Sequence, residues 1–148
     1  MKLTYSADIK STPEGVWYWL GDPERAKAWQ TNVGETRIIH RTPDWIGTTF
    51  TEMIEEDGQG TEMTGVITDY RENEALALHL EGKYNAVDVE WRIEKVGGLT
   101  RLTIHSDIRF KSVVRVMSVL MRPVFRKKIM AELKEQFARL RELCEEGV

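Results

Sequence analysis

The side chains that could do acid–base chemistry in this sequence are a few carboxylates on segments with a β pattern. Glu52 lies two positions after Phe50, and alternate residues of a strand point to the same face of a sheet. Glu52 is therefore predicted to face inward, where burial would raise its pKa and suit it to act as a general acid or base. It is the candidate catalytic residue. Glu62, Thr64 and Asp69 lie on a neighbouring segment whose phase stays open, and a solvated position is the alternative for all of these groups.

The other reactive side chains show no arrangement typical of a metal site, a nucleophilic enzyme or a phosphate-binding loop. The three histidines lack metal-ligand spacing. The run His105-Ser106-Asp107 cannot form a triad, because adjacent residues of a strand point to opposite faces. Cys144 is the single cysteine, which excludes an internal disulfide and a cysteine-based metal site, and we interpret it as a buried apolar residue. The sequence predicts no metal and no cofactor.

Composition restricts the class of protein. The chain has 148 residues, of which 41% are hydrophobic and 30% charged, so one domain over residues 1–148 with one core is expected. The net charge of -3 gives no general attraction to nucleic acid. The N-terminal segment alternates apolar and polar residues instead of forming a signal peptide, and an uninterrupted apolar run of about 18 residues is missing. We expect a soluble, cytoplasmic protein.

Hydrophobic periodicity predicts a strand, two short helices, six strands and a long helix, in that order. Thr12 with Pro13, and Asp22 with Pro23, are typical of helix starts. Pro123 should kink the last helix or divide it into two segments. The predicted helices cover residues 12–29 in two pieces and about 112–146; the predicted strands are residues 2–10, 35–42, 47–56, 61–71, 74–82, 85–95 and 99–110.

This order predicts an α+β fold in which one long helix covers a curved sheet. Strands of this length with short connections favour an antiparallel meander, and their alternation leaves one face of the sheet apolar. The C-terminal helix, roughly 50 Å long by helical rise, is the element that can cover this face. The two short helices can then close one end.

The sequence also resembles a known family. The residues that carry the resemblance are ADIKSTPEGVWYWLGDPERAKAWQ (7–30), VITDYRENEALALHL (66–80) and the final long helix. They resemble the START/Bet v 1-like (SRPBCC) superfamily, and within it the bacterial polyketide cyclase/dehydrase-type proteins, over nearly the whole chain. The resemblance implies a helix-grip fold, with a seven-stranded antiparallel sheet around the helix and a cavity between them. Members of this superfamily bind hydrophobic small molecules there, and some catalyse cyclisation, dehydration or isomerisation.

The predicted cavity wall combines the dry face of the sheet with the facing stripe of the C-terminal helix. Methionines and large aromatic residues suit a flexible pocket wall, and ordinary core packing is the alternative at each position. The candidate ligand-binding residues are Phe50, Met63, Ile67, Leu78, Trp91 and Ile104 from strands, Met117, Leu120, Met121 and Val124 from the helix, and Trp29 beside the cavity mouth.

Three tryptophans crowd the two short helices. We expect Trp17 to anchor the first of them against the rim of the sheet, and Trp29 to end the second beside the opening. The alternative is that Trp17, Trp19 and Trp29 only seal the end of the core, since tryptophan is mostly buried in folded proteins.

A basic interval lies between Asp107 and Glu132, where the sequence has no acidic residue. It contains Arg109, Lys111, Arg115, Arg122, Arg126, Lys127 and Lys128. Three interpretations stay open: solubility with local ion pairs, an electropositive rim near the pocket that suits an anionic amphiphile, and a helix that rests on an anionic membrane surface. The membrane interpretation requires Val114, Met121 and Val124 to be exposed.

We therefore expect a monomer or homodimer that binds or carries a hydrophobic or amphiphilic small molecule, such as a lipid, a fatty acid or a polyketide-like compound. The main alternative is a cyclase- or dehydratase-like enzyme in which Glu52 abstracts a proton next to a carbonyl. An enzyme requires a titratable group with a polar partner in the cavity, whereas a carrier can have a wholly apolar one.

Overall fold

A computed structural model describes residues 1–56 and 58–146, and these residues form seven strands and four helices. Asp57, Gly147 and Val148, which belong to the predicted 1–148 domain, lie outside the described residues. The elements in chain order are β1 (Lys2–Ile9), α1 (Pro13–Leu20), α2 (Pro23–Ala26), β2 (Val33–His40), β3 (Thr49–Glu56), β4 (Gln59–Arg71), β5 (Ala75–Glu81), β6 (Asn85–Val96), β7 (Leu99–Phe110), α3 (Ser112–Leu120) and α4 (Arg122–Glu146).

The strands form one antiparallel sheet in the order β1-β7-β6-β5-β4-β3-β2. Strands β2 to β7 pair with their neighbours in sequence, as a meander requires, and β1 closes against β7 with Tyr5 opposite Ile104. In this pair Ile9, the last residue of β1, lies opposite Thr100 near the start of β7. The element that follows β1 and the element that follows β7 therefore leave from opposite ends of the sheet. The predicted α+β helix-grip architecture is confirmed.

The short helices begin where the capping residues predict. The Thr12 side chain accepts a hydrogen bond from the Gly15 amide at 3.1 Å, and the Asp22 side chain accepts one from the Glu24 amide at 2.9 Å. A proline occupies the first turn of each helix, where its missing N–H removes no helical hydrogen bond. The second helix ends at Ala26, earlier than predicted.

The C-terminal region is divided as Pro123 predicts. The chain leaves helical geometry at Met121, with φ -102° and ψ 12°, and Pro123 then occupies the first turn of α4, where the proline ring is tolerated. Helix α4 has 25 residues, or roughly 37 Å by helical rise. The covering helix is therefore shorter than the predicted one, and α3 is a separate element that packs against β7.

The core lies between the dry face of the sheet, α1 and the second half of α4. Phe137 of α4 is 2% exposed and meets the Tyr5 ring at 5.0 Å and the Trp29 ring at 6.4 Å, both edge to face. Leu140 and Cys144 continue the same buried helix face, so the prediction for the cysteine is confirmed. The first half of α4 buries much less.

Candidate ligand-binding site

A cavity of about 230 Å³ lies between the sheet, the two short helices and the middle of α4. Its wall is mostly apolar. The lining residues are Leu20, Gly21, Pro23, Ala26, Gln30, Asn32, Val33, Thr36, Ile38, Trp45, Phe50, Glu52, Ile54, Ile67, Tyr70, Leu76, Leu78, Leu80, Val89, Trp91, Ile104, Leu133 and Gln136. Such a concave, largely apolar space with few polar groups is the usual form of a small-molecule site.

Glu52 is the one carboxylic acid among the residues that line this wall. It follows Phe50 and precedes Ile54 on the inward face of β3, and all three line the cavity. The carboxyl group makes no hydrogen bond or ion pair with any residue in the described part of the chain. Desolvation by burial raises the pKa of Glu52 to about 7, because the apolar surroundings disfavour the charged form. At neutral pH this carboxyl group is therefore partly protonated and can form a hydrogen bond with a bound ligand.

Polar groups of Gln136 and Trp91 belong to residues of the cavity wall. The Gln136 side-chain amide donates to Asn32 Oδ1 at 2.9 Å, which ties α4 to the chain before β2. The indole nitrogen of Trp91 is buried and has no hydrogen-bond partner among the described residues. An unpaired buried donor of this kind costs about 1–3 kcal/mol of stability.

Gly65 positions the Phe50 ring in the cavity wall. The two residues are cross-strand partners on β4 and β3. A Cβ atom added at Gly65 would lie less than 3.0 Å from three atoms of the Phe50 ring, so the ring occupies the space that any other residue at this position would fill. The glycine is required for this close approach of the ring.

Trp45 and Tyr70 form part of the entrance. We define the entrance as the residues shared by the cavity and by an outer hollow of about 650 Å³, namely Gly21, Pro23, Thr36, Ile38, Trp45 and Tyr70. The rings of Trp45 and Tyr70 stack at 5.7 Å, and the Arg41 guanidinium lies 4.1 Å from the Trp45 ring. Trp45 has φ 69°, a left-handed value that bulky residues rarely adopt.

Backbone hydrogen bonds hold the Trp45 loop on the sheet. The Gly47 amide donates to the Ile67 carbonyl at 2.8 Å, and the Ile67 amide donates to the Thr48 carbonyl at 2.9 Å. These bonds fix the loop beside β4 and over the cavity, which stabilises the unusual backbone at Trp45.

The charge around the outer hollow is mainly negative, which corrects the predicted electropositive rim. Arg25 is the basic residue in its lining, against the acidic residues Glu14, Asp22, Glu24 and Glu72. None of the basic residues between Asp107 and Glu132 lines the cavity or the hollow. The reason is topological: α3 follows β7 and lies at the end of the sheet opposite to α1.

The structure places the predicted site residues in three groups. The first group lines the cavity, as predicted: Glu52, Phe50, Ile67, Leu78, Trp91 and Ile104. The second group, Met63 and Trp29, belongs to the buried core and not to the lining. Trp29 is 1% exposed and its indole nitrogen donates to the Trp19 carbonyl at 2.9 Å, so its predicted place beside the mouth is wrong and the core interpretation holds for it. Trp17 packs edge to face on Tyr70 of β4 at 5.3 Å, which agrees with its predicted role of anchoring α1 against the rim of the sheet.

The third group is the predicted helix stripe, and its placement in the cavity wall is wrong. Met117, Leu120, Met121 and Val124 are 56%, 77%, 41% and 56% exposed and lie outside the cavity. The break at Met121 separates α3 from the covering helix, so the stripe of α3 does not continue the buried face of α4. Leu133 and Gln136 of α4 supply the helix side of the wall instead.

Several lining residues were not predicted. Trp45 and Tyr70 at the entrance lie in a turn segment and at a strand end, where residue type gives no face. The sequence does indicate that Leu133 faces inward, because it belongs to the second apolar stripe of the C-terminal region together with Phe137 and Leu140. Asn32 and Gln136 had none, since their pairing spans 104 positions in sequence.

Among the described residues, His, Cys, Asp and Glu side chains form no group of three or more that could hold a metal ion. Within the same part of the chain, the helices are too short or too polar to cross a membrane. No curated protein matches the chain in sequence.

An open seven-stranded antiparallel sheet around a C-terminal helix, with a cavity between them, defines the START/Bet v 1-like helix-grip class. Solved structures of similar fold include a START superfamily protein from Mycobacterium smegmatis (TM-score 0.81, 17% identity, 99% of each chain covered). A protein from Thermus thermophilus has TM-score 0.81 and 15% identity, with 99% of each chain covered. An aromatase/cyclase from Streptomyces sp. R1128 has TM-score 0.80 and 11% identity, with 98% of this chain and 93% of that chain covered. The family described as "Polyketide cyclase / dehydrase and lipid transport" matches residues 1–145, and this chain belongs to it.

Proposed function

We propose that this protein binds and carries a small, largely apolar, uncharged molecule in the cavity between the sheet and α4. The observation that carries the proposal is the wall itself: it is mostly apolar, and its one carboxyl group, Glu52, has no polar partner among the described residues. A catalytic carboxylate is normally oriented by a hydrogen-bonding neighbour, whereas a binding site needs only a few polar groups to fix the guest.

The electrostatics favour a neutral guest over an anionic one. Glu52 becomes charged above about pH 7, and the outer hollow has more acidic than basic side chains. An anionic headgroup would meet like charge along this route, and like charges repel most strongly where water is excluded. A hydroxyl or carbonyl oxygen, by contrast, can accept a hydrogen bond from the protonated carboxyl group of Glu52.

The size of the cavity restricts the guest further. Ligand pockets are commonly about 300–1,000 Å³, and the cavity of about 230 Å³ lies below this range. A longer ligand would extend past Trp45 and Tyr70 into the outer hollow. The cavity therefore suits a compact apolar ligand, and a chain attached to that ligand could leave through the entrance.

Displacement of a fluorescent probe tests the proposal. An environment-sensitive hydrophobic dye is bound to the purified protein and titrated with a medium-chain alcohol and the matching carboxylate at pH 8. We expect the alcohol to displace the dye at lower concentration. Leu78→Phe, which places a larger ring in the cavity, should weaken dye binding at least tenfold, while Ile39→Phe on an exposed part of β2 should leave it unchanged.

Each control has a defined consequence. Thermal unfolding of the Leu78→Phe protein verifies that it is folded, and native mass spectrometry of freshly purified protein looks for a guest retained from the cell. Equal dye binding by both variants would show that the dye lies elsewhere and would refute a cavity site. Tighter binding of the carboxylate than of the alcohol would refute the neutral guest but not the cavity.

A second candidate function is acid–base catalysis by Glu52, as in the cyclase- or dehydratase-like alternative. Its support is the position of the group in the cavity with a pKa of about 7, near the value that suits a general base at neutral pH. The carboxylate would take a proton from a carbon next to a carbonyl, giving an enolate and a protonated Glu52, and later return it.

This second function has a simple test. In D₂O, deuterium incorporation beside the carbonyl of a small apolar diketone is followed by NMR with and without protein. An enzyme should accelerate the exchange, and Glu52→Gln should abolish the acceleration while Glu62→Gln, on exposed β4 surface, should keep it. Exchange at the rate of the protein-free solution would refute catalysis and leave binding as the function.

A further inference from the structure

Four apolar side chains of helix α3 are exposed to solvent. Val116, Met117, Val119 and Leu120 are 64%, 56%, 68% and 77% exposed, while Ser118 is 8% exposed. The Ser118 hydroxyl donates to the Arg115 carbonyl at 2.7 Å, so the helix turns a small polar residue toward the protein. A surface helix of a globular protein normally has the opposite orientation.

The exposed apolar surface continues past the helix break and has two arginines beside it. We call this surface the α3 patch and define it as Val116, Met117, Val119, Leu120, Met121 and Val124. The exposure that the membrane interpretation requires is met by Met121 and Val124 but not by Val114, which is partly buried. Arg115 lies in α3 and Arg122 is the first residue of α4. No acidic residue occurs in the sequence between Asp107 and Glu132, and Glu81 of β5 pairs with Lys111 just before α3. Folding does not require this combination, because the exposed side chains contribute little to the core.

A second segment brings the same chemistry to the start of α3. The Lys111 amide donates to the Tyr84 carbonyl at 2.8 Å, which holds the β5–β6 turn beside the helix. Tyr84 is 48% exposed, and the Lys83 ammonium lies 5.5 Å from its ring. An exposed tyrosine next to lysine is typical of residues that lie at the level of lipid headgroups.

We propose that the α3 patch is a docking surface for an anionic lipid bilayer. The apolar side chains would enter the boundary between headgroups and acyl chains, and the flanking cations would contact anionic headgroups. An interfacial helix with Lys or Arg beside an apolar face binds by these two contributions together. Because α3 and α1 lie at opposite ends of the sheet, the docked protein keeps its entrance away from the lipid.

Charge favours a lipid surface over a second copy of the chain. A symmetric dimer places the same patch of both subunits against itself, and here this would bring Arg115 and Arg122 of each copy close to like charges. An anionic bilayer complements the same residues. The proposal is independent of the guest in the cavity, so either can fail without the other.

Vesicle flotation with the full-length protein tests the proposal. The probes are vesicles of phosphatidylcholine alone and of phosphatidylcholine mixed with phosphatidylglycerol, at low and at physiological salt. We expect binding to the anionic vesicles only, and weaker binding as salt rises. The Arg122→Gln variant should lower the partition coefficient roughly fivefold, and Leu120→Ser roughly tenfold.

Matched variants elsewhere on the surface separate the patch from general charge and hydrophobicity. Arg139→Gln removes the same charge from an exposed site on α4, and Ile39→Ser removes an apolar side chain that is 61% exposed on β2. Both should leave binding unchanged. The proposal would be overturned if patch and control variants lost vesicle binding equally. It would also be overturned if the protein did not bind anionic vesicles, and an acidic protein surface would then be the remaining partner for the patch. Sedimentation of a dimer that Leu120→Ser converts to monomer would overturn it in favour of a second copy.

Discussion

Replacing Glu52 by Gln tests the buried carboxyl group without changing its size. The pKa of Glu52 rises from 4.5 in the unfolded chain to about 7 in the folded protein. Between these two pH values the folded state holds a proton that the unfolded state has already released. Stability contributed by the neutral form is therefore lost as pH rises above 4.5, and the loss is complete once pH passes about 7. The full loss is about 3 kcal/mol, of which about 2.5 kcal/mol falls between pH 5 and pH 8.

Urea unfolding at pH 5 and pH 8 measures this effect. Glutamine keeps the shape but never ionises, so the stability of Glu52→Gln relative to wild type should increase by about 2.5 kcal/mol from pH 5 to pH 8. The control Glu62→Gln alters an exposed carboxylate on β4, next to the Met63 that pairs with Glu52, and should show no such increase. A difference between variant and wild type that is the same at both pH values would refute the burial of a titratable group in the cavity.

Three further predictions concern other parts of the molecule. Gly65→Ala should displace the Phe50 ring and lower stability by about 1–3 kcal/mol in urea unfolding; an unchanged midpoint would contradict the close approach of the ring to this glycine. Hydrogen bonds from His79 to the Asp88 carboxylate at 2.6 Å and to the Glu81 carboxylate at 2.9 Å raise the pKa of His79. The stabilisation by charged His79 should therefore be complete below about pH 6.5 and disappear as pH rises through the higher pKa of the folded state. His79→Gln should accordingly be more destabilising at pH 6 than at pH 9, and an equal effect at both would exclude this pair. Trp29→Phe should cost about 1–3 kcal/mol, because it leaves a backbone carbonyl without its donor and opens a void; a loss below about 0.5 kcal/mol would contradict its place in the core.

Local patterns determined the fold class and one side of the site. Alternation along β3 placed Phe50 and Glu52 on the same inward face, since the side-chain period of a strand is fixed at two. The caps at Thr12 and Asp22 set the starts of α1 and α2 by hydrogen bonds within three residues. Each of the six later strands begins and ends within two residues of its predicted bounds. These features depend on contacts between near neighbours in sequence, so the sequence reveals them directly.

The tertiary structure alone decided which helix surface meets the cavity and which charges surround its opening. An apolar stripe shows that a helix has an apolar face, but not what that face contacts. In this protein the helix breaks at Met121 and the α3 stripe is exposed to solvent, whereas Leu133 of α4 lines the cavity. The position of Trp45 beside Tyr70 and the pairing of Asn32 with Gln136 likewise join distant segments. Such contacts depend on how the whole sheet closes on the helix, which no local period encodes.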